Sequence, residues 1–231
     1  MKIIKQKDVL PVTDEVTQIL EPLSKHHHRH GPLFPNTIRC IVAGPSGCGK
    51  TNLLLSLILA VNGVRFRNIY IYAKSLHQPI YRFLATVMSG LDEMQFFTFT
   101  QHDDVVSPER VLPNSLMIFD DVSTEQQHVI RAYFSMGRHH FVDCFYLCQT
   151  YSRVPKQLLR DNANLIILFR QDELNIRHVY NDHVNSDMPF DAFKAMCASC
   201  WKKPHGFLVI DKESDLLRGR YRMGFDHFIR I

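Results

Sequence analysis

The sequence predicts a three-layer α/β domain with a mainly parallel central sheet. Three observations predict it: a glycine-rich turn between a strand-like and a helix-like run, apolar β-branched runs that alternate with helical patterns, and an apolar run that ends in two aspartates. A chain of 231 residues can bury a substantial core and leaves little room for a second full domain.

The turn follows a short β-branched run at 37–43 and is spelled Gly44-Pro45-Ser46-Gly47-Cys48-Gly49-Lys50-Thr51. It satisfies every position of the phosphate-binding pattern G-x-x-x-x-G-K-[ST], and residues 52–61 behind it are rich in helix formers. The chemistry follows from the backbone. Glycines let successive N–H groups curl around a phosphate, and the helix start adds partial positive charge. Lys50 reaches the β- and γ-phosphates of a nucleoside triphosphate such as ATP, and the Thr51 hydroxyl is a ligand for Mg2+.

Further strands are expected at 68–73, 95–100, 115–119, 142–147, 165–169 and 207–211, with more strand within 206–223. Helices are expected at 52–61, 78–89, 124–136, 155–160 and 190–201. Residues 1–33 read as an arm carrying the polar run Lys25-His26-His27-His28-Arg29-His30, a composition typical of a solvated surface, and residues 34–231 as the domain.

The run at 115–119 is continuously apolar and ends in Asp120-Asp121, as a buried parallel strand does when it delivers carboxylates to its C-terminal edge. Asp120 is then placed to hold Mg2+ and Asp121 to activate an attacking water. Ser123 offers an N-cap for the helix that follows, so a capping role competes for this acidic stretch. The strand at 142–147 leads to Gln149. If it lies between the phosphate-loop strand and the acidic strand, the amide sits beside the γ-phosphate; otherwise it caps a loop.

Six cysteines lie in strands, the loop and one helix, which is not the spacing of a secreted disulfide framework, and they read as reduced thiols. Cys197 and Cys200, with His205 near, are fewer ligands than a structural zinc site uses, so buried thiols are the favoured reading. No apolar run of membrane-spanning length and no signal-peptide pattern occurs, which predicts a soluble intracellular protein with no membrane partner. Net charge of +4 with thirteen histidines permits nucleic-acid contact without demanding it. A small-molecule kinase or a non-hydrolysing switch would share the phosphate loop, but a kinase needs a lid that 122–138 does not resemble, and the acidic pair argues for turnover.

These residues in this order resemble the FtsK/HerA superfamily, of ASCE/RecA-like architecture, and within it the poxvirus-type genome-packaging ATPases of large DNA viruses, virophages and Maverick/Polinton elements. The resemblance rests on the glycine loop, on Ile118-Phe119-Asp120-Asp121, on Gly137-Arg138-His139-His140, on Tyr146-Leu147-Cys148-Gln149-Thr150-Tyr151, and on the run from Val154 through Asn164 to Arg170. It implies an ATPase ring, hexameric or pentameric, that threads double-stranded DNA into a capsid and meets capsid or portal-vertex proteins. It also implies that an arginine of one subunit reaches the nucleotide of the next, with Arg138 first and Arg160 and Arg170 as competitors. Asp121 stands where related motors often carry glutamate, which moves the carboxylate by about 1.5 Å. Basic candidates for DNA contact are Arg65, Arg67, Lys74, Lys202, Lys203, Arg218, Arg220 and Arg222.

Overall fold

The computed structural model describes residues 29–90 and 94–231. In chain order the main elements are β1 (Arg39–Ala43), α1 (Lys50–Leu59), β2 (Asn68–Ala73), α2 (Pro79–Ser89), β3 (Gln95–Phe99), β4 (Ser115–Asp120), α3 (His128–Met136), β5 (Val142–Cys148), β6 (Leu165–Phe169), α4 (Glu173–His183), α5 (Phe190–Cys200), β7 (Phe207–Asp211), β8 (Tyr221–Met223) and β9 (His227–Ile229). The strands make one sheet in the order β3-β2-β4-β5-β1-β6-β7-β8-β9. The first six in that order run parallel, and β7, β8 and β9 add on antiparallel.

The central strands are continuous apolar runs because both of their faces are covered. Alternation along each strand sorts the side chains into two layers. Cys40 and Val42 of β1 join Leu54 and Leu57 of α1 and Tyr81 and Leu84 of α2. Ile41 and Ala43 face the other way, onto Ile130 and Tyr133 of α3, Ile176 and Val179 of α4 and Phe193 of α5. The three-layer α/β fold with a mainly parallel sheet is therefore present, and register places its functional edge: Ala43 lies beside Cys148, and Leu147 beside Asp120.

Several expected elements differ in extent. α1 begins on Lys50 itself and stops at Leu59, because Ala60 turns extended and the chain folds back through Gly63. α3 starts only at His128. Gln127 precedes it without a side-chain cap, and its amide instead bonds the Val122 and Glu125 carbonyls, so Ser123 caps no helix. The expected helix at 155–160 is a single wide turn, Lys156–Arg160. The polar run 173–183 is a helix that its composition disguises: Asp172 caps it by accepting the Asn175 N–H at 2.8 Å, and only Ile176, Val179 and His183 line its buried side with Asn175.

Residues 29–33 of the expected arm are packed onto the body. Asp143 of β5 is fully buried; it accepts the Ile38 N–H at 2.7 Å and faces His30 Nε2 at 3.1 Å and Arg29 at 3.3 Å. His30 Nδ1 accepts the Arg65 N–H at 3.1 Å, which leaves Nε2 to carry the proton toward the carboxylate. His30 is thus a core residue and departs from the solvated reading of the histidine run, because a buried aspartate requires donors around it. Lys25 to His28 lie outside the described residues. Among those described, no helix is long and apolar enough to cross a membrane.

Candidate functional site

The phosphate loop leaves β1 at Gly44 and enters α1 at Lys50. Gly44 is required by close approach, since a Cβ there would lie 2.6 Å from both Cys48 Sγ and Phe169 Cβ. Gly47 and Gly49 hold φ of 74° and 107°, a left-handed region open to glycine at little cost. The Lys50 ammonium crosses the loop and donates to the Gly44 and Pro45 carbonyls at 2.7 and 3.0 Å.

Strand order brings the rest together. β5 is inserted between β1 and β4, so Gln149 emerges between the phosphate loop and the acidic strand end. Its Nε2 donates to both carboxylate oxygens of Asp121, at 3.1 and 3.2 Å. Asp121 sits at a left-handed φ of 54° and donates its backbone N–H to the Leu147 carbonyl, which turns the chain sharply out of β4 and exposes the carboxylate. Asp120 is partly buried and accepts a hydrogen bond from the Tyr81 hydroxyl of α2. Burial pushes its carboxyl up from the usual value, against the Tyr81 bond and the Lys50 charge that pull it down. Gly47, Gly49, Lys50, Thr51, Asp120, Asp121 and Gln149 line one cavity of about 420 Å³, closed on one side by Gln78, Pro79 and Ile80. A second cleft of about 490 Å³ shares Ser46 and Gln149 with it and adds Pro45, Arg170 and Gln171.

The arginines separate sharply. Arg138 lies in the turn Gly137–His140 that leads into the start of β5, whereas the phosphate loop is at that strand's far end. Seven strand residues at about 3.3 Å each put it roughly 20 Å from its own site. It is exposed, with its Nε 3.3 Å from His139 Nε2. Arg160 is buried, donates to Asp182 at 2.6 Å and stacks over Tyr151, so it is committed to the interior. Arg170 is exposed at the end of β6 in the second cleft.

Among the basic residues considered for DNA, Arg222 is buried against Asp211 at 2.8 Å, Arg220 bonds Asp187 at 2.9 Å, and Lys74 pairs with Glu125. Their charges serve internal pairing. Lys202, Lys203 and Arg218 are exposed. Cys197 and Cys200 are free and buried, burial pushing the Cys200 thiol up to about 11, and no metal-binding group of three or more ligands exists among the described residues. Trp201 anchors its helix by donating to the Leu168 carbonyl at 2.9 Å. Tyr81, Gln171 and His205 are site neighbours that the sequence pattern did not single out for the nucleotide. Only Tyr81 had a legible signal, an aromatic at the start of a helix that follows a strand.

A glycine loop opening a helix, a carboxylate pair on the acidic strand and an amide from the strand between them define a P-loop NTPase. The Poxvirus A32 protein family matches residues 25–185, and the chain belongs to that family. Among solved structures, the fold is similar to that of the genome packaging NTPase B204 from Sulfolobus turreted icosahedral virus 2. The AMP complex of that protein aligns at a TM-score of 0.58 and 14% identity over 83% of this chain and 98% of the other. Its ATP-gammaS complex aligns at 0.56 and 13% over 86% and 100%. A search of curated proteins finds no significant match.

Proposed function

We propose that this chain is the ATP-hydrolysing motor that moves double-stranded DNA into a viral or virus-like capsid, with ATP hydrolysed at the interfaces of a homo-oligomeric ring. The observation that carries the reading is the convergence of the phosphate loop, Asp120-Asp121 and Gln149 on one cavity at the C-terminal edge of a parallel sheet. Membership of the Poxvirus A32 protein family supports it, as does the likeness in fold to a genome packaging NTPase solved with AMP and ATP-gammaS.

In this reading the N–H groups of 46–51 cradle the phosphates, and Lys50 exchanges its loop carbonyls for β- and γ-phosphate oxygens. The Thr51 hydroxyl and the Asp120 carboxylate are hard oxygen donors lining the same cavity, which fits Mg2+. When bound, that ion neutralises phosphate charge. Asp121 takes the proton of the attacking water, and Gln149, already bonded to it, orients that carboxylate and reads the γ-phosphate. Arg138 lies too far from its own loop to take part there, and in this reading it reaches the nucleotide of the neighbouring subunit. Capsid or portal-vertex proteins are the partners, and the infected cell is the setting.

The test is steady-state ATP hydrolysis against protein concentration, with and without long double-stranded DNA, for wild type and Lys50→Ala. Turnover that rises with concentration, responds to DNA and vanishes in Lys50→Ala is expected. Turnover that is independent of concentration and indifferent to DNA sinks the motor reading.

A further inference from the structure

His205 has no role in the nucleotide site as described so far, yet it leans on the phosphate loop from a distant part of the chain. Its Nδ1 lies 3.0 Å from the Cys48 carbonyl oxygen. A carbonyl only accepts, so the contact requires the proton on Nδ1. The ring also stands where a side chain on residue 49 would meet it: a Cβ built on Gly49 lies 3.5 Å from His205 Nδ1.

The backbone around His205 is built to hold that ring. It has a left-handed φ of 58°, uncommon for a residue other than glycine, and such strain persists where the surroundings over-determine it. The loop is pinned at both ends. Trp201 bonds the Leu168 carbonyl of β6, Gly206 N–H bonds Lys203, and Phe207 pairs with Phe169 in the sheet.

The consequence lies in the peptide that joins Cys48 to Gly49. In a trans peptide the C=O and the N–H of the same plane point in opposite directions. Drawing the Cys48 oxygen toward His205 therefore turns the Gly49 N–H away from His205, and Gly49 is itself one of the residues that line the nucleotide cavity. Glycine at 49 leaves this peptide little conformational restraint of its own.

We propose that His205 is a positioning residue of the phosphate loop: its Nδ1–H fixes the 48–49 peptide with the Gly49 N–H facing the nucleotide phosphates. This rests on the nucleotide-site reading above. It also makes the loop between α5 and β7 part of the site, and links the phosphate cradle to the antiparallel strands β7 to β9.

The experiment is calorimetric titration of ADP and of ATPγS in Mg2+ buffer into wild type, His205→Gly, His205→Asn and Lys50→Ala, with melting temperatures measured alongside. Glycine suits the left-handed backbone, so His205→Gly removes the ring without adding strain; affinity is expected to fall roughly five- to tenfold, the worth of one hydrogen bond. Asparagine tolerates the same φ, and its Nδ2–H replaces Nδ1–H, so His205→Asn is expected to bind within about twofold of wild type. Wild-type affinity in His205→Gly overturns the proposal. So does His205→Asn binding as weakly as His205→Gly while melting like wild type. Lys50→Ala keeps the two levels apart: undiminished binding there overturns the nucleotide-site reading itself, whereas loss there with intact binding in His205→Gly overturns only the role of His205.

Discussion

Asp120 is the residue on which nucleotide chemistry and packing meet. Its carboxyl is pushed up by burial and pulled back by the Tyr81 hydroxyl and by Lys50. Replacing Tyr81 with phenylalanine removes a donor to the charged form and frees the carboxylate to rotate. On the proposed role of Asp120 as a Mg2+ ligand, the half-saturating Mg2+ concentration for ATP hydrolysis is expected to rise on the order of tenfold in Tyr81→Phe, as for other groups that orient a metal ligand. The acid limb of the pH profile is expected to move to higher pH, because a carboxyl that loses a hydrogen bond to its charged form takes up its proton earlier on acidification. An unchanged Mg2+ dependence would show that Tyr81 serves only the core.

His183 makes a second prediction at this scale. Burial, reinforced by the charges of Lys212, Arg160 and Arg220, depresses its pKa from 6.5 to about 3, and its Nε2 lies 2.7 Å from the Tyr151 hydroxyl. Between those values the unfolded chain binds the proton and the folded one does not. Stability is therefore full above about 6.5 and is lost as pH falls toward 3, by up to a few kcal/mol. Urea midpoints measured from pH 8 down to pH 4 should fall, and the fall should be shallower in His183→Gln.

At the scale of elements, the antiparallel extension is held together by a buried ion pair between its first two strands. Arg222 of β8 reaches Asp211 of β7 at 2.8 Å, and both side chains are almost wholly enclosed. Removing one partner leaves the other charge buried alone. Asp211→Ala is expected to cost about 3 kcal/mol, and Arg222→Met combined with Asp211→Leu to recover much of it, as chemical denaturation would register. Equal losses in the single and double variants would show that the pair is not what holds these strands. The neighbouring apolar side chains Leu217 and Phe228 stay exposed, so the extension relies on such polar ties more than the central strands do.

At the scale of the whole molecule, the sheet separates two groups that the proposed motor would bring together only between neighbouring subunits. The phosphate loop lies on the C-terminal edge and Arg138 on the opposite edge, roughly 20 Å away along β5. If the neighbouring subunit supplies the arginine, Lys50→Ala and Arg138→Ala are each inactive, and their mixture regains partial activity, since some interfaces then join an intact Lys50 to an intact Arg138. Absence of any recovery in mixtures that co-assemble by light scattering would remove Arg138 from that role.

Much of this was readable along the chain. Gly44 to Thr51 is a local pattern whose backbone requirements admit few alternatives, and the apolar runs at β1, β4, β5 and β6 declared themselves because parallel strands are buried on both faces. The acidic pair at the end of β4 belongs to the same class of local signal. The helix at 173–183 was hidden because most of its surface faces solvent and its buried side is narrow. His30 was misread because nothing local marks a histidine that will meet a buried aspartate 113 positions away.

By itself, then, the sequence determined the phosphate loop, the acidic strand and the alternation that makes a three-layer α/β domain, since each is set by neighbours within a few residues. Only the tertiary structure decided that β5 enters between β1 and β4, that Tyr81 holds Asp120, that Arg160 is spent on Asp182 while Arg138 faces away, and that His205 meets Cys48. Those outcomes depend on strand order and on contacts between residues tens to more than a hundred positions apart, and no local propensity carries such information.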